Sequence, residues 1–452
     1  MAQPIFTISG LRGIIGKDLT PELACRVAAG FGRFVGSGKV ALGRDCRSSG
    51  DMLFHAVTAG LVSAGCEVLD CGICPTPTIP VLVQEEKLSG GIEITASHNP
   101  PEWNGLKFVS ADAAFLNDEQ LAGLKRVLRQ KQLAARSWGR LGKVTVRDDA
   151  IDIHIRRILH SDLFHNRLRR KLKIGIDACN GAASLAAQRM AQELGSLPFA
   201  LFCSLHEHGG FPRRPEPTAD HLADLADFVR KKGLDLGVAF DPDGDRFSCV
   251  DEAGAPLGEE ASVMLAADFV LGRVLGPVVV NLSTTRGIDD VAARHGVQVV
   301  RSRVGEAAVV AKMKETGAVV GGEGNGGVII PAINTSRDGL VALAVLVQAI
   351  SDSNKPLSVL ARELPHYLML KDKVQTAGRA WPRLSGGLAR AFAGAAQDKT
   401  DGIKLNGKDW WLHVRMSNTE PIVRLIAEAR TETEARRLIR RAKRVLTADK
   451  RG

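Results

Sequence analysis

The sequence predicts an α/β protein of three related α/β domains followed by a smaller α+β domain. Three observations point to it. An alternation of apolar strand, Gly or polar turn, helix, Gly and apolar strand occurs three times, the texture changes beyond about residue 366, and 452 residues are too many for one ordinary core. The balance of 45% hydrophobic and 24% charged residues excludes a disordered chain, and 47 glycines against 5% aromatics suit many strand-to-helix turns.

The repeats run in order. "KVALGRDCRSSG…GLVSAGCEVLD" (39–70), "KIGIDACNGAASLAAQRMAQELGSLPFALF" (173–202) and "PVVVNLSTTRGIDDVAARHGVQVV" (277–300) each read as a β-α-β unit of about 30 residues. In the last region "WWLHVRM" and "PIVRLIAEA" flank a polar bend. Thr431 and Glu434 then have capping-box spacing ahead of a helix with Ala435, Leu438, Ile439, Ala442, Val445 and Leu446 on one face. The expected domains are 1–147, 148–252, 253–365 and 366–452.

Compartment and partners follow from composition. The start, "MAQPIFTISGLRGIIGKDL", has no basic stretch followed by an apolar run, and the longest apolar run, "GLVALAVLVQAI" (339–350), is short for a membrane span. The expectation is a cytoplasmic protein without a membrane partner. Its eight cysteines read as free thiols; only Cys71 and Cys74, in "CGIC", have redox or zinc spacing, with no second pair to complete a zinc site. The net charge of +10 concentrates in "HNRLRRKLK" (165–173) and in residues 434–452, with no base-stacking motif, so it reads as solvated helix faces rather than a nucleic-acid surface.

Four constellations carry chemistry. In "TASHNPPEWNG" (95–105) Ser97 and His98 share a bend with two prolines; the letters are not those of a G-x-S-x-G hydrolase elbow, and a polar turn is the competing reading. In "FDPDGDR" (240–246) Asp241, Asp243 and Asp245 alternate after an apolar strand, hard oxygen donors suited to Mg²⁺ or Ca²⁺. Arg246 stands where an EF-hand loop needs Gly, and it is placed to clamp a phosphate. "GGEGNGG" (321–327) offers Glu323 and Asn325 among glycines that let a ligand approach, and a carboxylate there suits sugar hydroxyls better than phosphate. "RMSNTEPIVR" (415–424) gathers Arg415, Ser417, Asn418, Thr419 and Arg424, an inventory that fits a phosphate dianion.

These motifs in this order, with "ISGLRGIIG" (8–16) and "GRDCRSSG" (43–50), resemble the α-D-phosphohexomutase family, which includes phosphoglucomutase, phosphomannomutase and phosphoglucosamine mutase. The resemblance covers nearly the whole chain. It implies a four-domain, heart-shaped fold with one motif per domain around a cleft, and a shift of phosphate between the 1 and 6 positions of a hexose. It implies Ser97 as a phosphoserine, Mg²⁺ held by Ser97, Asp241, Asp243 and Asp245, and Arg246 steadying the phosphoryl group. Arg12, His98 and Lys107 would line the reaction centre, Lys107 moving the hydroxyl proton and His98 orienting or neutralising. Glu323 and Asn325 would read the sugar, Glu306 would join the substrate-binding residues, and the Arg415–Arg424 bend would grip the non-reacting phosphate. A hexose 1,6-bisphosphate would be activator and intermediate, the partner a small hexose phosphate, and the protein a monomer or homodimer.

Departures from the family pattern bear on substrate. Asn325-Gly326-Gly327 stands where many bacterial relatives carry Ser-Gly-His, Glu306 where some carry His, and Trp103 where Tyr is usual. The combination looks most like archaeal-type phosphoglucosamine mutases, with phosphomannomutase/phosphoglucomutase as the alternative. A non-catalytic sugar-phosphate binder is a rival from another class, and the metal triad argues against it.

Overall fold

A computed structural model describes residues 4–131, 133–165, 168–205, 210–375, 380–416 and 422–447. Its strands form four sheets, with strands falling in residues 5–146, 173–250, 278–329 and 368–429. Each expected β-α-β unit is present. Lys39–Arg44 and Glu67–Ile73 pair in parallel around the helix Gly50–Ser63, Lys173–Asp177 and Leu197–Leu201 around Ala183–Glu193, and Val278–Asn281 and Val299–Ser302 around Gly287–Arg294.

The repeat extends further than the β-α-β pattern. In each domain a third strand adds in parallel on the other side of the first: Gly90–Ile94, Leu236–Phe240 and Val320–Glu323. That strand then turns back as an antiparallel hairpin into Trp103–Ser110, Phe247–Val250 and Gly327–Ile329. The three turns are the Ser97 bend, the aspartate loop and the glycine-rich loop, so three of the four motifs occupy one topological position. The first sheet is widened to seven strands by Ile5–Thr7 and Gly10–Ile14 at one edge and Val144–Val146 at the other.

Burial separates the domains into two groups. One continuous apolar core runs from Ala41 and Leu82 through Ile174 and Phe240 to Val280 and Leu357, joining the first three domains. The last domain packs a five-stranded antiparallel sheet against its own helices in a separate core. Its final helix, Glu432–Thr447, buries Ala435, Leu438, Ile439, Ala442 and Leu446, while Arg436 and Arg437 pair with Glu432 and Glu434 on the exposed face. The contacts from this domain to the third include polar ones: His413 Nδ1 lies 2.9 Å from Ser283 Oγ, and Lys404 Nζ donates to the Leu282 carbonyl at 2.7 Å. Among the described residues no helix is long and apolar enough to cross a membrane.

Candidate active site

Ser97 follows the end of Gly90–Ile94 with a φ of 52°, a left-handed conformation uncommon for serine that needs support from its surroundings. The support is specific. Its N–H donates to Thr95 Oγ1 at 2.8 Å, and Thr95 Oγ1 donates to Asp45 Oδ2 at 2.6 Å. Asp45 also pairs with Arg47, whose guanidinium donates to the main-chain carbonyls of Ser97, Asn99, Pro100 and Trp103 at 2.7 to 2.8 Å. One buried arginine thus fastens the whole bend. Arg12, on Gly10–Ile14, reaches the same bend by donating to Asn99 Oδ1 at 2.7 Å.

The bend faces the second domain. Ser97 Oγ donates to Asp241 Oδ2 at 3.0 Å and lies 3.2 Å from His98 Nδ1. Burial, with Arg246 and Arg12 close by, holds the His98 imidazole well below its ordinary value. Lys107, across the hairpin, donates to Asp243 Oδ2 at 2.5 Å and Asp245 Oδ2 at 2.8 Å. Burial opposes its charge, but the two aspartates prevail and hold the ammonium above its ordinary value.

Asp241, Asp243 and Asp245 are fully buried, and each offers a carboxylate oxygen within 4.8 Å of the others. Burial and the two neighbouring carboxylates push Asp241 well up; Asp243, also opposed by burial, is held low by Lys107 and Thr76. Three such groups repel without a cation, and Asp243 Oδ1 and Asp245 Oδ1 are buried without hydrogen-bond partners. A hard divalent ion fits this donor set. Arg246 donates through its main chain to Asp241 Oδ1 at 3.1 Å, while its side chain pairs with Glu216 and leaves Nε without a partner.

The glycine-rich loop meets the aspartate loop. Gly326 has a φ of +89°, and a Cβ there would lie 2.4 Å from the Phe247 carbonyl; a Cβ on Gly324 would lie 2.0 Å from Glu260. Protein neighbours thus require glycine at both positions. Glu323 accepts from Asn281 Nδ2 at 2.7 Å, Gly305 N at 3.0 Å and Arg337 Nη1 at 3.1 Å. Glu306 is also enclosed, accepting from Ser336 Oγ, Arg337 N and Arg337 Nε at 2.6 to 3.0 Å. Asn325 Oδ1 has no partner.

In the last domain Arg415 and Arg424 stand opposite each other on paired strands. Arg415 Nε lies 3.5 Å from Asp401 Oδ1, and Asp401 Oδ2 accepts from Val304 N at 3.0 Å, beside the Gly305 that binds Glu323. Ser417, Asn418 and Thr419 lie outside the described residues.

Sequence reasoning missed Arg47, Thr76, Glu216 and Arg337. "GRDCRSSG" gives Arg47 no role by itself, and Thr76, Glu216 and Arg337 fall in none of the motifs. In the structure Thr76 Oγ1 donates to Asp243 Oδ2 at 2.7 Å. Cys71 and Cys74 are buried free thiols, both pushed up by burial, so neither is poised as a nucleophile.

Comparison with known proteins gives a consistent result. Models of phosphoglucomutase/phosphomannomutase match residues 3–135 (alpha/beta/alpha domain I), 152–254 (domain II), 258–367 (domain III) and 380–445 (C-terminal domain). A probable phosphoglucosamine mutase from Methanopyrus kandleri is 36% identical, covering 96% of this chain and 95% of that one. A phosphoglucomutase/phosphomannomutase from Thermococcus kodakarensis is also 36% identical, covering 96% of each. The crystal structure of a phosphoglucomutase/phosphomannomutase family protein from Burkholderia thailandensis superposes with a TM-score of 0.83 at 30% identity, over 98% of this chain and 97% of that one. An Aspergillus fumigatus N-acetylphosphoglucosamine mutase, solved with GlcNAc-6P and magnesium, shares the fold at a TM-score of 0.63 and 13% identity, over 97% of this chain and 95% of that one.

Proposed function

The chain belongs to the phosphoglucomutase/phosphomannomutase family and is a phosphohexomutase, and we propose that it interconverts glucosamine 6-phosphate and glucosamine 1-phosphate. One observation carries the reading of the site. Of the 14 buried polar side-chain atoms without hydrogen-bond partners among the described residues, six belong to motif residues: Asp243 Oδ1, Asp245 Oδ1, Arg12 Nε, Arg246 Nε, Asn325 Oδ1 and Arg415 Nε. Two carboxylate oxygens are open at the aspartate loop, the Nε donors of Arg12, Arg246 and Arg415 have no hydrogen-bond acceptor beyond the Asp401 ion pair of Arg415, and one amide acceptor is open on the glycine-rich loop. That set suits a metal, phosphate and a sugar hydroxyl respectively.

In this reading Ser97, carried as a phosphoserine, passes its phosphoryl group to the free hydroxyl of a hexose phosphate. The O–P bond to Ser97 breaks as the bond to the sugar oxygen forms, and Lys107 takes the hydroxyl proton. The bisphosphate turns over in the cleft and returns its other phosphate to Ser97 Oγ, with Lys107 giving the proton back. Mg²⁺ on Asp241, Asp243, Asp245 and Ser97 would supply charge neutralisation at the phosphoryl oxygens and relieve Lys107 of the carboxylate charge that keeps it protonated. Arg246 leaves Glu216 to steady the phosphoryl group, and Arg12 lines its other side. Asn325 and Glu323 read the sugar, while Arg415, Ser417, Asn418, Thr419 and Arg424 hold the distal phosphate. Glu306 supports the sugar loop through Arg337.

A second substrate reading, phosphomannomutase/phosphoglucomutase, rests on the Thermococcus kodakarensis relative of that name at equal identity. The test supplies Mg²⁺ and a trace of glucose 1,6-bisphosphate and compares rates on glucosamine 6-phosphate, mannose 1-phosphate and glucose 1-phosphate. Fastest turnover of glucosamine 6-phosphate supports the proposal. Preference for either other sugar transfers it to the second reading, and turnover of none refutes both.

A further inference from the structure

Arg337 stands between two motif loops and belongs to neither. Its place is fixed by its neighbour: Asp338 caps the helix Gly339–Ser353 by accepting from Leu340 N and Val341 N, and its other oxygen meets His154 Nε2 at 2.7 Å. Gly327 leaves room for the side chain, since a Cβ there would lie 2.2 Å from Arg337 Cδ. The buried guanidinium then divides among three carboxylates. Nη2 donates to Asp245 Oδ2 at 2.7 Å, Nε to Glu306 Oε2 at 3.0 Å and Nη1 to Glu323 Oε2 at 3.1 Å.

The two ends of this bridge have opposite interests. At Glu306 and Glu323 a planar fork with fixed donors sets the position of the loop read above as the sugar loop. At Asp245 the same positive charge lies against a carboxylate that the metal needs, and like charges a few ångströms apart in a buried site repel. Lys107 adds to this by sharing Asp245 Oδ2. Only Oδ1 of Asp245 is left open.

We propose that Arg337 is a positioning residue that fixes the sugar loop against the metal loop at a cost in cation affinity. The sugar half of this inference rests on the function proposed above; the metal half does not. A purely structural arginine would, on removal, weaken metal and sugar binding together. A strut of this kind moves them in opposite directions.

The experiment uses the full chain as wild type, Arg337→Met and Arg337→Lys. Mn²⁺ binding is followed by the electron paramagnetic resonance signal of the free ion, without any sugar. KM and kcat are then measured with the hexose phosphate that the wild type turns over, and melting temperatures are recorded for all three proteins. Arg337→Met is expected to bind Mn²⁺ at least about threefold more tightly, because a repelling charge is gone. Its KM is expected to rise about tenfold, with a smaller change in kcat, because the loop loses its fork. Arg337→Lys keeps the charge but cannot span three carboxylates, so its Mn²⁺ affinity stays within about twofold while its KM still rises.

Unchanged or weaker Mn²⁺ binding in Arg337→Met overturns the proposal. So does a wild-type KM in Arg337→Lys, or failure of both variants to fold, which would make the residue structural only. If Arg337→Met alone fails to fold, Arg337→Lys decides through its KM at constant Mn²⁺ affinity. A wild type that turns over no hexose phosphate refutes the proposed function instead, and the Mn²⁺ comparison still decides the metal half.

Discussion

The Ser97 bend and the glycine-rich loop occupy the same hairpin position in their domains, yet they are held in different ways. Arg47 fastens the first by four main-chain carbonyls. Arg337 fastens the second by carboxylates on Glu306 and Glu323 and ties it to Asp245. A carbonyl has one charge state and no competing ligand, so the serine is presented in one geometry. A carboxylate answers to protons, cations and donors, so the second loop is held by a balance of charge. Chemistry that needs in-line attack wants the first kind of support, and recognition of a partner that must bind and leave is served by the second.

The comparison is broken most severely by removing what the fixed bend presents. Ser97→Ala is expected to lower mutase turnover by roughly 10⁴-fold or more, with an unchanged melting temperature. Turnover that persists undiminished would mean that another group carries the phosphoryl.

Next comes the support itself. Arg47→Met leaves Asp45 unpaired in a buried site and strands four carbonyls, so urea denaturation should show a loss of about 3 to 5 kcal/mol. Arg47→Lys should recover only part of it, because one ammonium cannot serve four acceptors in a plane.

In the glycine-rich loop the corresponding break is smaller. Gly326→Ala places a Cβ against the Phe247 carbonyl at a φ of +89° and should cost about 2 to 3 kcal/mol, with KM rising more than kcat falls. An equal effect on both constants would show that this loop shares the rigid role of the serine bend.

The mildest test is pH. Loss of water pushes partly buried Glu260, beneath Gly324, up to about 8, against the opposing pull of Lys371 and the Thr285 N–H. A carboxyl that holds its proton more tightly when folded stabilises the protein fully below its unfolded value near 4.5, and this contribution is lost as pH rises through about 8. Melting temperature should therefore fall between about pH 4.5 and pH 8 and this contribution level off above, and Glu260→Gln should flatten that slope. A slope that survives the substitution would assign the effect to other groups.

The sequence made the scaffold legible because its signals are local. Strand, turn and helix follow within each 30-residue repeat, and the final helix shows its apolar face at regular spacing. The aspartate triad was legible for the same reason, since its three members fall within five residues. The supports were not. Arg47 reaches carbonyls 50 to 56 residues away, and Arg337 reaches Asp245 across 92. No spacing rule announces such a pairing. Nor could the glycines of residues 321–327 show that they make room for Phe247, Glu260 and Arg337.

The shared hairpin position has a consequence for how such a molecule changes over generations. The same scaffold carries different tips: one holds a hydroxyl, another three carboxylates and a third an amide beside a carboxylate. Because the third tip is packed against Phe247, Glu260 and Arg337, its residues cannot change without their neighbours, and drift at that tip calls for matching changes in the second and third domains. The Ser97 bend is free of that coupling, since Arg47, Asp45, Thr95 and Arg12 support it from within its own domain.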